Sequence, residues 1–368
     1  MIRLAAPTFT DADRARIDEV LTSGQLVQGR FVAEFERLLA ERLGVEVIAC
    51  SSGTAALHIA LMALDLRAGD EVVVPAFTWP STAHVILRSG GVPVFADIDP
   101  NTLNVDPDSL DRAITARTRA LLPVHLFGIP APMGRVMAAA QACGADVVED
   151  AACALGTNCD LGVAGTIGRI GCFSLHPRKI ITTAEGGLLT TSDRALADRL
   201  RSLRNHGMVR TPTGIVFTDL GLNYRLTELG GALGIGQVAQ LDHIIATRAL
   251  LGRHYLARLD AAADTSGFRV PTGLADPGNA FQNLVVDVGG AERRARIMAR
   301  MLENGVETTI GTYAVHEQPV YTALGFDPAS CPNASHAMRA LLALPLHHRM
   351  TTSDVDRVVD VLVQAASA

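Results

Sequence analysis

The sequence predicts an α/β protein, with a large domain over residues 1–250 built on a mostly parallel, mixed sheet between helices and a smaller α+β domain over residues 251–368. Three observations carry this expectation. Short apolar runs alternate with stretches of helical spacing through the first two thirds of the chain, and after residue 250 the pattern changes to a strand–helix–strand–helix series. With 48% hydrophobic and 19% charged residues among 368, the chain can bury a large core. A prior of about 150 residues per domain agrees with two units.

Val32, Phe35, Leu38, Leu39 and Leu43 recur at helical steps. Strands are expected at 71–75 (EVVVP), 92–97 (VPVFAD), 119–124 (RALLPV), 146–150 (DVVED), 170–174 (IGCFS) and 187–191 (GLLTT). Near-continuous Val, Ile and Leu in short strands separated by helices is what a parallel sheet covered on both faces requires. Residues 193–205 and 227–253 read as longer helices. A strand at 281–288, a helix at 291–304, a strand near 306–309 and a final helix from Thr352 complete the second domain.

The net charge of −6 argues against a general binder of nucleic acid or anionic membrane. No apolar run approaches the roughly 20 residues of a membrane-spanning helix. The opening MIRLAAPTFTDADR lacks the apolar centre and cleavage site of a signal peptide. A soluble cytoplasmic protein without nucleic-acid or membrane partners is the expectation. The six cysteines, Cys50, Cys143, Cys153, Cys159, Cys172 and Cys331, form no closely spaced pair. They fit neither structural zinc nor the disulfide framework of a small secreted chain, so no metal is expected.

Three motifs carry chemistry. In the run 50–57 (CSSGTAAL) small residues precede a helical stretch, and a helix N-terminus with free N–H groups seats a phosphate. An ordinary capped helix is the bland alternative. Val147-Val148-Glu149-Asp150 is an apolar strand ending in acids at the sheet edge where open α/β folds bind ligands. Such an acid could hold a ring nitrogen protonated, ligate a metal or cap the next helix. Lys179 follows His176 and Arg178 in an apolar, glycine-bounded turn. Neighbouring cations and partial burial free a lysine's lone pair for Schiff-base chemistry, whereas a surface lysine in a loop is the alternative. Taken together, a phosphate seat, an acid and a lysine in this order are what pyridoxal phosphate needs, the acid keeping the ring protonated so that it withdraws electrons.

The same stretches resemble the DegT/StrS sugar aminotransferases, pyridoxal phosphate enzymes of fold type I, over essentially the whole chain. The likeness runs through SGQLVQGRFVAEFERLLAERLGV, CSSGTAALHIALMAL, DEVVVPAFTWPSTAHVI, VVEDAACALGT, GCFSLHPRKIITTAEGGLLTT, LNYRLTELGGALGIGQVAQLD and LPLHHRMTTSDVDRVVDVL. The resemblance implies that Gly53, Thr54 and Ser174 hold the cofactor phosphate, that Trp79 stacks on the ring, that Asp150 pairs with the pyridine nitrogen, and that Lys179 is the Schiff-base lysine. It places Asn223 and Arg225 at the phosphate of a neighbouring subunit, hence a homodimer with shared sites, and His316 near the substrate entrance.

Three positions depart from the family. Cys153 stands where Gln or His is usual, beside the cofactor's 3′-oxygen, and a thiol donates only weakly there. Ala184 and Gly230 replace a frequent glycine and a frequent glutamine. The resemblance implies amino transfer from glutamate or glutamine to a keto sugar, often nucleotide-linked, with pyridoxamine phosphate as the amino-carrying form. A keto-cyclitol aminotransferase of antibiotic synthesis, a pyridoxamine phosphate-dependent sugar dehydratase and a non-catalytic sensor on the same fold are the rivals. Dehydratases of the family carry histidine in place of the lysine, so Lys179 weighs against that rival.

Overall fold

The computed structural model describes residues 1–367, with the side chains of 263–266 left aside. Its centre is a seven-stranded sheet. In chain order the strands are β1 (Glu46–Cys50), β2 (Glu71–Pro75), β3 (Val92–Ala96), β4 (Thr118–Leu121), β5 (Asp146–Asp150), β6 (Ile170–Ser174) and β7 (Gly187–Thr191). In space they lie β1-β7-β6-β5-β4-β2-β3. β2 through β6 pair in parallel. β7 runs antiparallel to both β6 and β1, so β1 shares the direction of the parallel strands. The six expected strands are present, with β4 over 118–121 instead of 119–124. β1 is additional, following directly on the helix Arg30–Leu43 and its left-handed cap Gly44.

Strand alternation builds two apolar layers. Ile48, Val72, Val74, Val148, Ile170 and Leu189 face the helices Gly53–Met62, Ser81–Arg88 and Arg194–Arg204 on one side. Val47, Ala49, Phe173 and Leu188 meet Val32, Phe35 and Leu39 on the other, and Val73, Leu121 and Val147 meet Val136 and Leu110. Both faces are covered, which is why the strands read as unbroken apolar runs.

The stretch expected as one helix over 227–253 is two, Glu228–Ala239 and Leu241–Ser266. The first is glycine-rich for a packing reason. A Cβ on Gly231 would lie 2.5 Å from the Val32 nitrogen, and one on Gly234 would lie 2.7 Å from the Phe35 ring. The backbone of this helix therefore lies directly against the helix Arg30–Leu43. The second helix contains the expected domain division near residue 250.

The last third forms a three-stranded antiparallel sheet, β8 (Leu284–Asp287), β9 (Thr309–Ile310) and β10 (Leu341–Leu344), with β10 in the middle. β8 is shorter than the expected 281–288, β9 lies slightly later than expected, and β10 was not foreseen. The helices Ala291–Glu303 and Thr352–Ala366 match expectation, the latter capped by Thr351. Ile2, grouped by sequence with the large domain, instead pairs with Val306 and belongs to the apolar cluster of this last third. Among the described residues, no helix is long and apolar enough to cross a membrane.

Gly231→Ala tests the close helix approach. The added methyl meets backbone, which cannot rotate away, so stability should fall by about 1–3 kcal/mol in urea denaturation. An unchanged midpoint would show that the helices can separate without cost.

Candidate active site

Because β1 through β6 run the same way, their carboxyl ends share one edge of the sheet, where open α/β folds place ligands. Each chemistry-bearing motif leaves from that edge. β1 ends at Cys50 and leads into the helix Gly53–Met62. There the Ser52 hydroxyl accepts from the Ala55 N–H at 3.0 Å, and among the described residues the N–H groups of Gly53 and Thr54 meet no acceptor. Gly53 lies against the end of β6, where a Cβ would stand 2.8 Å from that of Ser174. The Ser174 hydroxyl and the helix N-terminus thus form one polar cradle.

At the end of β5 the two acids diverge, as neighbours on a strand must. Glu149 is fully buried and accepts from the N–H groups of Gly165 at 2.7 Å, Ile167 at 2.8 Å and Gly168 at 2.6 Å, and from His125 Nε2 at 3.0 Å. His125 Nδ1 accepts from the Ala131 N–H, so Nε2 carries the ring proton. Burial alone would raise the Glu149 carboxyl, but His125 and the amides outweigh it and hold the group below its ordinary value. Glu149 fastens the loop between β5 and β6.

Asp150 turns the other way and is 4% exposed. Its Oδ2 accepts from Thr82 Oγ1 at 2.8 Å and its Oδ1 from the Ala152 N–H at 3.1 Å. Burial pushes its carboxyl up, against the pull of Thr82, Ala152 and the more distant Lys179. Among the described residues no cation pairs directly with this buried charge.

The segment after β6 carries Lys179, whose Nζ donates to Cys153 Sγ at 3.0 Å. Two buried amides hold this segment. Gln282 donates to the Arg178 carbonyl, and Gln237 accepts from the Thr182 N–H at 3.3 Å while donating to the Thr8 carbonyl at 2.8 Å. The Arg178 side chain points to solvent. Ala184, at the site of the family's frequent glycine, has φ 71°. A residue with a Cβ in that left-handed region costs about 1–2 kcal/mol, which explains why glycine is usual there. Gly230, in place of the family's frequent glutamine, lies against Leu226.

Trp79 follows β2, is 61% exposed, and meets Tyr313 edge-on with ring centres 5.6 Å apart. Its free face is available to cover a flat ligand. Asn223 and Arg225 lie beside the end of β1 in their own chain. Tyr224 between them accepts from the Ser51 N–H at 2.8 Å, and Arg225 Nη1 donates to Asn205 Oδ1 at 2.7 Å. Asn223 is exposed.

His316, expected near the substrate entrance, is a buried residue. The residue is 0% exposed and its ring centre stands 6.1 Å from that of Phe95. The short turn Val315–Glu317 carries the ring inward, and burial holds the imidazole below its ordinary range, hence neutral. The side chain from this segment that does face the site is Tyr313. Sequence reasoning also missed Thr82, Thr78, Gln237 and Gln282, whose residue types carry no signal without the contacts. The likeness quoted for PAFTWPSTAHVI contained both threonines without marking them.

A free helix N-terminus, a buried carboxylate lacking a cation, an amine and an exposed aromatic face at one sheet edge fit the phosphate, ring nitrogen, aldehyde and ring of pyridoxal phosphate. Fold and site together define a pyridoxal phosphate-dependent transaminase of fold type I. The chain belongs to the DegT/DnrJ/EryC1/StrS aminotransferase family, whose profile matches residues 7–363. It is 36% identical to the spore coat polysaccharide biosynthesis protein SpsC of Bacillus subtilis (strain 168), over 96% of this chain and 94% of that one. An aminotransferase of the family from Brucella abortus superposes with a TM-score of 0.88 at 31% identity, over 97% of this chain and 96% of that one. The E coli GDP-4-keto-6-deoxy-D-mannose-3-dehydratase with bound hydrated PLP superposes with a TM-score of 0.89 at 26% identity, over 98% and 99%.

The two acids should respond to substitution in opposite ways. Glu149, held below its ordinary 4.5, contributes stability that is present above that value and lost as the pH falls through its folded value. Glu149→Gln should therefore cost about 2–4 kcal/mol at neutral pH and flatten the acid limb of a stability profile. Asp150, held above its ordinary value, contributes stability at acid pH that is lost as the pH rises. Asp150→Asn should stabilise the cofactor-free protein at neutral pH while lowering kcat. Equal destabilisation by both substitutions would contradict this division.

Proposed function

We propose that this enzyme transfers an amino group from glutamate or glutamine to a keto sugar, carried on a nucleotide, as a cytoplasmic homodimer. The observation that carries the reading is the meeting of Lys179, Asp150 and the Gly53–Ser174 cradle at one sheet edge. SpsC, by its name, serves the biosynthesis of a polysaccharide, which supports a saccharide as the amino acceptor.

Pyridoxal phosphate, when bound, supplies an electron sink and a carrier for the amino group. In this reading the Gly53 and Thr54 N–H groups and the Ser174 hydroxyl bind the phosphate, Asp150 holds the proton on the ring nitrogen, and Trp79 covers one ring face against water. The amine of Lys179 serves as general base, taking a proton from the substrate carbon and returning it. Cys153 touches that amine and lines the cofactor's side without acting as a nucleophile, so Cys153→Ser should be mild. Asn223 and Arg225 complete the phosphate seat of a second copy.

The likeness to a dehydratase makes fold alone insufficient to separate the two activities. Lys179 favours transamination. An assay panel of 3-keto and 4-keto sugars on dTDP, UDP and GDP, with a keto-cyclitol, resolves the acceptor. Release of 2-oxoglutarate from glutamate marks amino transfer, and loss of a sugar hydroxyl without it marks dehydration.

Borohydride treatment of the yellow holoenzyme should fix the cofactor to the peptide containing Lys179, and Lys179→Ala should bind pyridoxamine phosphate yet turn over negligibly. Full activity in Lys179→Ala would end the transaminase reading of this residue.

Shared sites give a second test. Lys179→Ala chains are mixed with chains carrying Asn223→Ala and Arg225→Ala, then refolded together. Half of the dimers are mixed and each has one intact site, so activity should return to about a quarter of wild type. No recovery in demonstrated heterodimers would show that each site is complete within one chain.

A further inference from the structure

The geometry points to Thr82, with Thr78 behind it, as a positioning residue that keeps Asp150 a proton acceptor toward the cofactor's ring nitrogen. This rests on the reading of Asp150 as that nitrogen's partner.

Thr82 is 0% exposed, Thr78 1% and Asp150 4%. The group is almost shut off from solvent, so its hydrogen-bond partners dominate its proton arrangement. Each oxygen of Asp150 already receives a donor, Oδ2 from the Thr82 hydroxyl and Oδ1 from the Ala152 N–H. An ionised carboxylate is acceptor-only and satisfies both. A protonated carboxyl would set its own hydrogen against one of them, and in a dry site the lost hydrogen bond has no substitute. The Ala152 amide cannot reverse its direction. The Thr82 hydroxyl can, because it has one hydrogen and a free rotor.

The other partner of that rotor is Thr78, whose Oγ1 stands 3.2 Å from Thr82 Oγ1, a pair in which either hydroxyl can donate. When Thr78 donates to Thr82, the Thr82 hydrogen is directed to Asp150, and a chain of hydroxyls polarised in one sense strengthens each bond. Burial works the other way, favouring the neutral acid. Thr82 is the counterweight, and with it in place the proton stays on the ring rather than on Asp150.

The local fold places these groups with little freedom. Thr82 sits in the first turn of the helix Ser81–Arg88 and its N–H donates to the Trp79 carbonyl at 3.1 Å. One turn therefore sets both the ring-covering Trp79 and the donor to Asp150. Thr78 is paired across a short strand contact with Tyr313, so the relay is anchored on the last third of the chain as well.

The test uses holoenzyme carrying pyridoxal phosphate labelled with 15N in the ring. Wild type and Thr82→Ser should show a protonated ring nitrogen at neutral pH. Thr82→Val, which keeps the shape but removes the donor, should show that nitrogen losing its proton at lower pH, with the kcat profile moving alongside. Cofactor affinity should stay near wild type, and kcat should fall about ten- to a hundredfold, as expected for losing one hydrogen bond to a charged group. Thr78→Val should shift both readouts in the same sense by less. If Thr82→Val does not fold, Thr82→Ala replaces it. A ring nitrogen in the valine or alanine variant that titrates as in wild type overturns the inference, as does failure of Thr82→Ser to restore it. Asp150→Asn separates the two readings: if its ring nitrogen remains protonated, the assignment of Asp150 itself fails, whatever Thr82 does.

Discussion

Strands that run the same way must all end on the same side, and that constraint organises this molecule. β1 delivers the free helix N-terminus, β2 the Trp79–Thr82 turn, β5 the Asp150 carboxylate, and β6 the Ser174 hydroxyl and the Lys179 segment. These groups are far apart in the chain, yet none needs a long loop to reach the others. The antiparallel β7 is the exception, and it closes the sheet between β6 and β1, bringing Ser174 against Gly53. Reversing that one strand is what lets the phosphate cradle be built from the first and sixth strands together.

The end of β5 shows how adjacent residues of like chemistry acquire unlike duties. Glu149 and Asp150 differ by one methylene, but the pleat sends them to opposite faces of the sheet. Glu149 meets three amides and a histidine, enough to make its charge an anchor. Among the described residues Asp150 meets two donors, the Thr82 hydroxyl and the Ala152 N–H, and no cation pairs with it directly. The first is tied into the β5–β6 loop, and the second is left facing the sheet edge with fewer donors.

Much of this was legible in the residues. The apolar runs located six of the seven sheet strands, because a sheet covered on both faces leaves little room for polar interruption. β1 escaped because EVIAC is short and starts two residues after the Gly44 cap of a helix, so its apolar residues read as that helix's tail. The single long helix expected over 227–253 divides at Gln240, a change that periodicity does not register. Lys179, Asp150, Gly53 and Ser174 stood out through motif and likeness, and the fold brings them to one edge. Thr78, Thr82, Gln237 and Gln282 did not stand out, for threonine and glutamine are unremarkable until a partner appears. The burial of His316 was equally hidden, since only the turn at Val315–Glu317 packs its ring against Phe95.

The pairing of Ile2 with Val306 bears on how the protein is made. The Ile2 N–H donates to the Gly305 carbonyl at 2.8 Å, the Glu307 N–H donates to the Ile2 carbonyl at 2.9 Å, and the Leu4 N–H donates to the Glu307 carboxylate. Ile2 and Leu4 thus find their partners only after some three hundred further residues have been synthesised. At roughly 5–20 residues per second the amino terminus waits tens of seconds, while the β1–β7 sheet can already form. Closing so long a loop is slow but costs little more free energy than closing a moderate one, because the entropy grows only with the logarithm of length. The docking of Ile2 and Leu4 therefore waits until residue 307 has been synthesised, and it fastens a segment that precedes the large sheet onto the apolar cluster of the last third.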